Sequence, residues 1–184
     1  MEQTKITEHN RLEYYNNVYN VDFIQANLID IGRFSDQLII ALDSCGLIYK
    51  NYFPTANIKI IEHVETAKQY QLARSDYDKL FNNTNAITVD KDGVLLLDHC
   101  PSIFKYKTQQ ELSDTLTTLT DTIDPRYCIV RLALITSGDN RLTDRFQNLS
   151  KIIPRKYSVV KFNYDQDYIL IELKRKVAYA TSIN

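Results

Sequence analysis

Apolar residues recur along the chain at two spacings, and the alternation between them predicts the order of elements. Residues 7–18 and 21–34 carry apolar and aromatic side chains at helical spacing (Leu12, Tyr15, Val18; then Phe23, Ile24, Leu28, Ile31), with Gly32 and Ser35 marking the exit. Two N-terminal helices are expected. Residues 37–42 form a continuous apolar run too short for a helix, which reads as a buried parallel strand. At most a short helix follows over 47–52, then a strand over 58–61. A helix over 65–81 places Ala67, Tyr70, Leu72, Ala73, Tyr77 and Leu80 opposite its polar residues. Residues 86–89 and 94–97 predict two strands, 108–123 a helix with Leu112, Leu116 and Leu119 on one stripe, and 127–135 a further strand. A helix over 140–153 is stopped by Pro154. Residues 158–164 and 168–174 alternate around Asp165-Gln166-Asp167 and predict an antiparallel hairpin.

Strands alternating with helices and closing in a hairpin predict an α/β fold. The expectation is a Rossmann-like, doubly wound, mostly parallel sheet ending in an antiparallel hairpin. Residues 1–35 would be an N-terminal helical segment and 36–184 the core of one domain. One junction leaves a choice. The stretch around Lys91-Asp92-Gly93 is too short for a crossover between parallel neighbours, which takes about a dozen residues. Either 86–89 and 94–97 form a hairpin, or only the second joins the main sheet.

Composition narrows the partners. At 184 residues, 44% hydrophobic and 24% charged, the chain is long enough to close a core without staples. A net charge of −1 and a pI near 6.3 give no strong nucleic-acid signal and no footprint for an anionic membrane, a local basic patch aside. The run Lys174-Arg175-Lys176 reads most simply as a solvated strand end. Cys45, Cys100 and Cys128 are odd in number, none in a CxxC pair, and each lies in or beside an apolar run. Reduced thiols of a cytoplasmic protein fit this better than a disulfide framework. The polar start MEQTKITEHN and the lack of any apolar run approaching about 18 residues predict neither a secretory signal nor a membrane span.

In doubly wound sheets ligands bind beyond the carboxyl ends of the strands, where loop amides and helix N-termini converge. The candidates are therefore Asp43, Ser44, Cys45 and Gly46 after the first strand, Glu62 and His63 after the second, Asp90, and the segment from Asp98 and His99 to Ser102. His63, His99 and Cys100 are metal-ligand types without paired spacing, so no metal is expected. The chain has neither GxxxxGK[ST] nor GxGxxG, which argues against a phosphate-rich ligand.

The acidic end of the first strand with its Cys-Gly step, Phe53-Pro54 before the second strand, and the closing hairpin together resemble the class I S-adenosylmethionine-dependent methyltransferases over nearly the whole chain. In that family a glycine-rich loop after the first strand approaches the methionine part of the cofactor, and an acid ending the second strand binds the ribose hydroxyls. The resemblance implies S-adenosylmethionine as cofactor, with Asp43, Ser44, Cys45 and Gly46 in the first position, Glu62 in the second, and His63 and Asp90 beside them. A carboxylate suits paired ribose hydroxyls, and a glycine admits close backbone approach. Asp98 and His99 fall where the family presents its acceptor, His99 as a general base or as a group orienting an acceptor hydroxyl. Asp98, Pro101 and Phe104 match only loosely the Asp/Asn-Pro-Pro-aromatic motif of enzymes acting on amino groups, so an amine is not the expected acceptor.

The expected function is methyl transfer to a small-molecule substrate. Gly46 stands alone where the family usually has two or three glycines, which favours a second reading as a catalytically silent structural or partner subunit. A third reading is another Rossmann-like nucleotide-binding enzyme. Each site also has a plainer account: Asp43 and Asp98 as caps, Gly46 as a turn residue, Glu62 as a solvated strand end, and the cysteines as small buried hydrophobes.

Overall fold

The computed structural model of the chain describes residue 13 and residues 21–42, 44–61, 93–99, 108–133, 149–165 and 168–177. The helix expected over 65–81 and the strand over 86–89 lie outside the described residues, as do all of 7–18 but Glu13 and all of 140–153 but its last five positions.

Six strands form one sheet: β1 (Leu38–Leu42), β2 (Asn57–Ile61), β3 (Val94–Asp98), β4 (Tyr127–Ala133), β5 (Tyr157–Tyr164) and β6 (Tyr168–Arg175). They lie in the order β2-β1-β3-β4-β6-β5. The first four are mutually parallel, and β6 runs antiparallel to both of its neighbours. This is the doubly wound, mostly parallel sheet with a terminal hairpin that the sequence pattern predicts. The central strands show why. All of β3 is buried, as is β1 after Leu38, and their apolar runs suit cover on both faces, with Asp98 the charged exception at the end of β3. Each buried Leu or Ile contributes about 2 kcal/mol of transfer free energy. The terminal hairpin differs on its outer strand, where β5 is exposed from Ser158 to Tyr164 and carries a bulge between Val159 and Lys161.

Three α-helices are described: α1 (Val21–Ala26), α2 (Ser44–Tyr52) and α3 (Gln109–Ile123). The expected helix over 21–34 is interrupted. The side chain of Asn27 donates to the Phe23 carbonyl, Asp30 accepts from the Gly32 N–H, and the Ile29 N–H donates 2.9 Å to the Tyr49 hydroxyl. The Phe23 carbonyl keeps its helical bond from the Asn27 N–H, but the Ile29 and Gly32 N–H groups, which a continuous helix would pair, are taken by side chains, and only a 3-10 turn at Gly32–Phe34 follows. The third helix matches its prediction closely. Thr108 caps it by accepting from the Glu111 N–H, and Leu112, Leu116, Leu119 and Ile123 are its buried stripe. Asp124, at φ 49°, ends it in the left-handed conformation.

The larger departure concerns the segment after β1. The short helix expected from residue 47 begins instead at Ser44, so Ser44, Cys45 and Gly46 form its first turn rather than a loop. Cys45 through Tyr49 are all buried, and that burial holds the helix against the sheet. Gly46 is required there by packing. A Cβ at this position would lie 2.6 Å from Cγ1 of Ile60, closer than real side chains approach, and a tight 3.2 Å from Cβ of Ala41. Gly46→Ala is expected to cost about 1–3 kcal/mol in chemical denaturation. In a double-mutant cycle Gly46→Ala with Ile60→Ala should cost clearly less than the sum of the single changes, because the second change removes the atoms the first one meets.

Candidate functional site

The chain passes from β1 outward to β2 and then returns across β1 to β3, so the strand order reverses between β1 and β3. In sheets of this kind a ligand crevice lies at that reversal, beyond the carboxyl ends of the strands. Helix α2 starts within two residues of the end of β1, bringing its N-terminus to this edge. Asp43, Glu62, His63, Asp90 and Cys100 lie outside the described residues. Ser44, Cys45 and Gly46 are placed as the start of α2. The Cys45 thiol turns to the sheet and donates to the carbonyls of Leu42 and Leu96, at 3.0 and 3.8 Å, so it closes the floor between β1 and β3. Cys45 and Cys128 are both free and buried, and burial pushes the Cys128 thiol up to about 12.

Asp98 is the last residue of β3 and is fully buried. Its cross-strand partner in β4 is Arg131, also buried. The guanidinium grips the carboxylate with two parallel bonds, Nε to Oδ1 at 2.7 Å and Nη2 to Oδ2 at 2.6 Å. Tyr49 of α2 donates a third bond to Oδ2 at 2.8 Å. Burial works against the Arg131 charge, but the hydrogen bonds and charge of Asp98 outweigh it and hold the guanidinium above its ordinary pKa. Burial, and then the charge of Asp98, raise the Tyr49 hydroxyl pKa as well, so it remains a donor.

Aromatic rings surround the pair. The Arg131 guanidinium sits 5.1 Å from the Phe23 ring of α1 and 5.2 Å from the Tyr168 ring of β6. Phe23 in turn meets His99 edge to face, with centroids 4.5 Å apart. His99 follows β3 at φ 47°, and its N–H donates 3.1 Å to the Arg131 carbonyl. Its side chain is nearly sealed from solvent, and burial followed by the nearby Arg131 charge overcomes the pull of Asp98 and lowers its pKa to about 4. The ring is therefore neutral at pH 7. Among the described residues, Nε2 of His99 is the buried side-chain polar atom that has no hydrogen-bond partner. Such an atom at a strand end is the kind that a ligand satisfies.

The two residues expected to be catalytic thus differ in what they can do. Asp98 has both oxygens committed to buried donors, and its place is to hold Arg131 and Tyr49. His99 has a nitrogen to offer. Among the described residues no group of three or more His, Cys, Asp or Glu side chains gathers where a metal ion could be held.

Comparison with solved structures identifies the fold. The chain is similar to the 16S rRNA methyltransferase RmtF in complex with S-adenosyl-L-homocysteine, at 16% identity and a TM-score of 0.52 over 89% of this chain and 64% of that one. It is similar to the 16S rRNA methylase RmtB at 10% identity and a TM-score of 0.56, over 92% of this chain and 69% of that one. The S-adenosylmethionine-dependent methyltransferase SibL, in its apo form, matches at 10% identity and a TM-score of 0.51, over 95% and 61% of the two chains. The chain has the class I methyltransferase fold. It spans less than two thirds of the length of RmtF and of SibL. No protein-family model matches the sequence, and no curated protein matches it.

Within the methyltransferase fold, Arg131, Tyr49, Phe23 and Tyr168 are the members of the site that the strand-end search missed. One signal was present. An arginine inside the apolar run YCIVRLA of β4 must find a buried partner, and the aspartate closing VLLLD on the neighbouring strand supplies it. Arg131→Met, which strands the Asp98 charge, should destabilise the protein by about 3–5 kcal/mol in denaturant titration. The depressed His99 pKa gives a second expectation. Between about pH 6.5 and 4 the unfolded chain binds a proton on His99 that the folded chain refuses, so stability falls as pH falls through that window. The contribution is about 3 kcal/mol. His99→Asn, which keeps a residue tolerant of positive φ, should flatten this part of the stability–pH curve relative to the unsubstituted protein.

Proposed function

We propose that the chain binds S-adenosylmethionine at the β1–β3 crevice and transfers its methyl group to an acceptor held beside His99. The unpartnered Nε2 of His99 carries this reading, because it offers a hydrogen-bonding group with no internal use at the edge where a doubly wound sheet takes its ligand. The fold shared with RmtF, RmtB and SibL supports it.

When bound, the cofactor supplies an electrophilic methyl group on a sulfonium. In this reading Glu62 takes the ribose hydroxyls, and Asp43, with the first turn of α2, faces the methionine part. His63 and Asp90 are further candidates for cofactor binding. With a pKa near 4, His99 is a weak base at neutral pH. Its role is to accept a hydrogen bond from the acceptor and fix its approach. Asp98 acts through Arg131 and Tyr49 as a positioning residue. A small-molecule acceptor is favoured by the enclosure of His99 beneath Phe23. RmtF and RmtB are 16S rRNA enzymes, which makes a nucleotide the competing acceptor class.

The silent-subunit reading also has an observation behind it. The one glycine after β1 is consumed by packing on Ile60, leaving no described glycine to open the backbone toward a ligand there.

Calorimetric titration and thermal shift with S-adenosylmethionine and S-adenosylhomocysteine decide between them. At a hundredfold the dissociation constant, binding should add about 2.7 kcal/mol of stability, and Glu62→Ala should abolish it. No heat and no shift with either compound at millimolar concentration would leave the silent subunit as the better account. Transfer of a labelled methyl group to total RNA or to a small-molecule extract then assigns the acceptor class.

A further inference from the structure

The end of the sheet opposite the crevice concentrates positive charge in a chain whose net charge is −1. β4 starts, β5 starts and β6 ends there, with Tyr127 opposite Lys174 and Tyr157 opposite Arg175. Backbone bonds from Arg175 to Arg126 and from Lys176 to Lys156 tie the three strands together. Arg126, Lys174, Arg175 and Lys176 thus share one edge with Lys156. Beside them α3 and the 3-10 turn at Leu149–Ile152 enclose a cleft of about 470 Å³. Lys151, Arg155 and Lys156 line it together with the hydroxyl-bearing Ser113 and Thr117. Asp121, which also lines the cleft, lies 3.4 Å from Lys156, and Asp124 lies 3.2 Å from Arg175. Lys151, Arg155 and Lys156 leave the cleft lining with three cations to one carboxylate.

From Lys156 the edge strand β5 leads away, exposed from Ser158 onward. Lys161 lies midway, and Phe162 and Tyr164 follow, 47% and 62% exposed. At about 3.3 Å per residue, Phe162 stands about 20 Å from Lys156.

We infer that this end and the β5 edge bind the sugar–phosphate backbone and bases of a single-stranded nucleic acid. Cations and hydroxyls in a concave cleft suit phosphodiester oxygens, and exposed rings farther along the same strand suit unstacked bases. A lipid surface is flat and fits a cleft poorly. The inference does not depend on cofactor binding, and its test reads a different quantity.

Fluorescence anisotropy with a labelled single-stranded RNA of mixed sequence tests it in the full chain. Lys151→Glu, Arg155→Glu and Lys156→Glu together should weaken binding at least about tenfold and flatten the dependence of log K on log salt by about 2. Phe162→Ala and Tyr164→Ala should each cost up to about tenfold, while leaving that slope unchanged. Asp121→Asn, which removes a competing carboxylate, should tighten binding. These are exposed positions, and an unchanged melting temperature verifies that the variants fold. Absence of binding at about 50 mM salt, where backbone contacts are strongest, would overturn the inference. So would indifference to the triple charge reversal, or tighter, equally charge-dependent binding to phosphatidylserine vesicles.

Discussion

The bidentate bond between Asp98 and Arg131 fixes the relation of the two central strands on which the rest of the sheet is laid. Both residues are buried on adjacent parallel strands and stand opposite one another. A slip of one residue between β3 and β4 would turn one of the charges to the other face and leave both without a partner in a low-dielectric interior. Apolar neighbours such as Leu95, Leu96 and Leu97 cannot supply that discrimination, since each fits a slipped register nearly as well. Buried ion pairs add little net stability compared with apolar side chains of equal volume. Here the pair selects one alignment among several that hydrophobic burial alone would accept.

The same pair organises the surrounding elements. Tyr49 brings α2 to it, and its hydroxyl, donating to Asp98 and accepting from the Ile29 N–H, joins the helix after β1 to the segment after α1. Phe23 and Tyr168 clasp the guanidinium from α1 and β6. A second buried carboxylate, Glu172 in β6, is held 2.6 Å from Arg33, whose guanidinium lies over Phe34. The N-terminal segment is thus fastened to the sheet through charge as well as apolar contact. His99 inherits its properties from this setting: the backbone bond to Arg131 fixes its left-handed turn, and the guanidinium and the surrounding apolar groups keep its ring neutral.

The order of strands was legible because continuous apolar runs and an alternating pair leave few topologies open. Residues 94–97 read as a strand, with its pairing left between a hairpin with 86–89 and the main sheet, and residues 158–164 and 168–174 read as a hairpin. The capped helix at 109–123 was equally plain, since Thr108, Glu111 and the leucine stripe all point to one start and one face. The start of α2 was not. Serine and glycine suggest a loop, and only the contact of Gly46 with Ile60 and Ala41, made by residues fourteen and five positions away, shows why a helix needs glycine there. The break after Ala26 was hidden for a like reason, because the hydroxyl that takes the Ile29 N–H comes from Tyr49. Strand ends told where to look for chemistry. They did not tell that Asp98 would be spent on an arginine in the next strand.

The strand order also carries a consequence for how the chain assembles. β6 comes after β5 in sequence but lies inside it, between β5 and β4. On a ribosome β4 emerges well before its antiparallel neighbour, and its outer backbone groups wait unpaired until β6 has been made. The hairpin can form by itself as a local event, since its strands are three residues apart, whereas β1, β2, β3 and β4 must be gathered across connections of more than a dozen residues. Completion of the sheet is then a docking step in which a finished hairpin inserts Ile169 to Leu173 against β4. Until it does, Arg131 lacks the ring of Tyr168 on one side, and the site waits on β6.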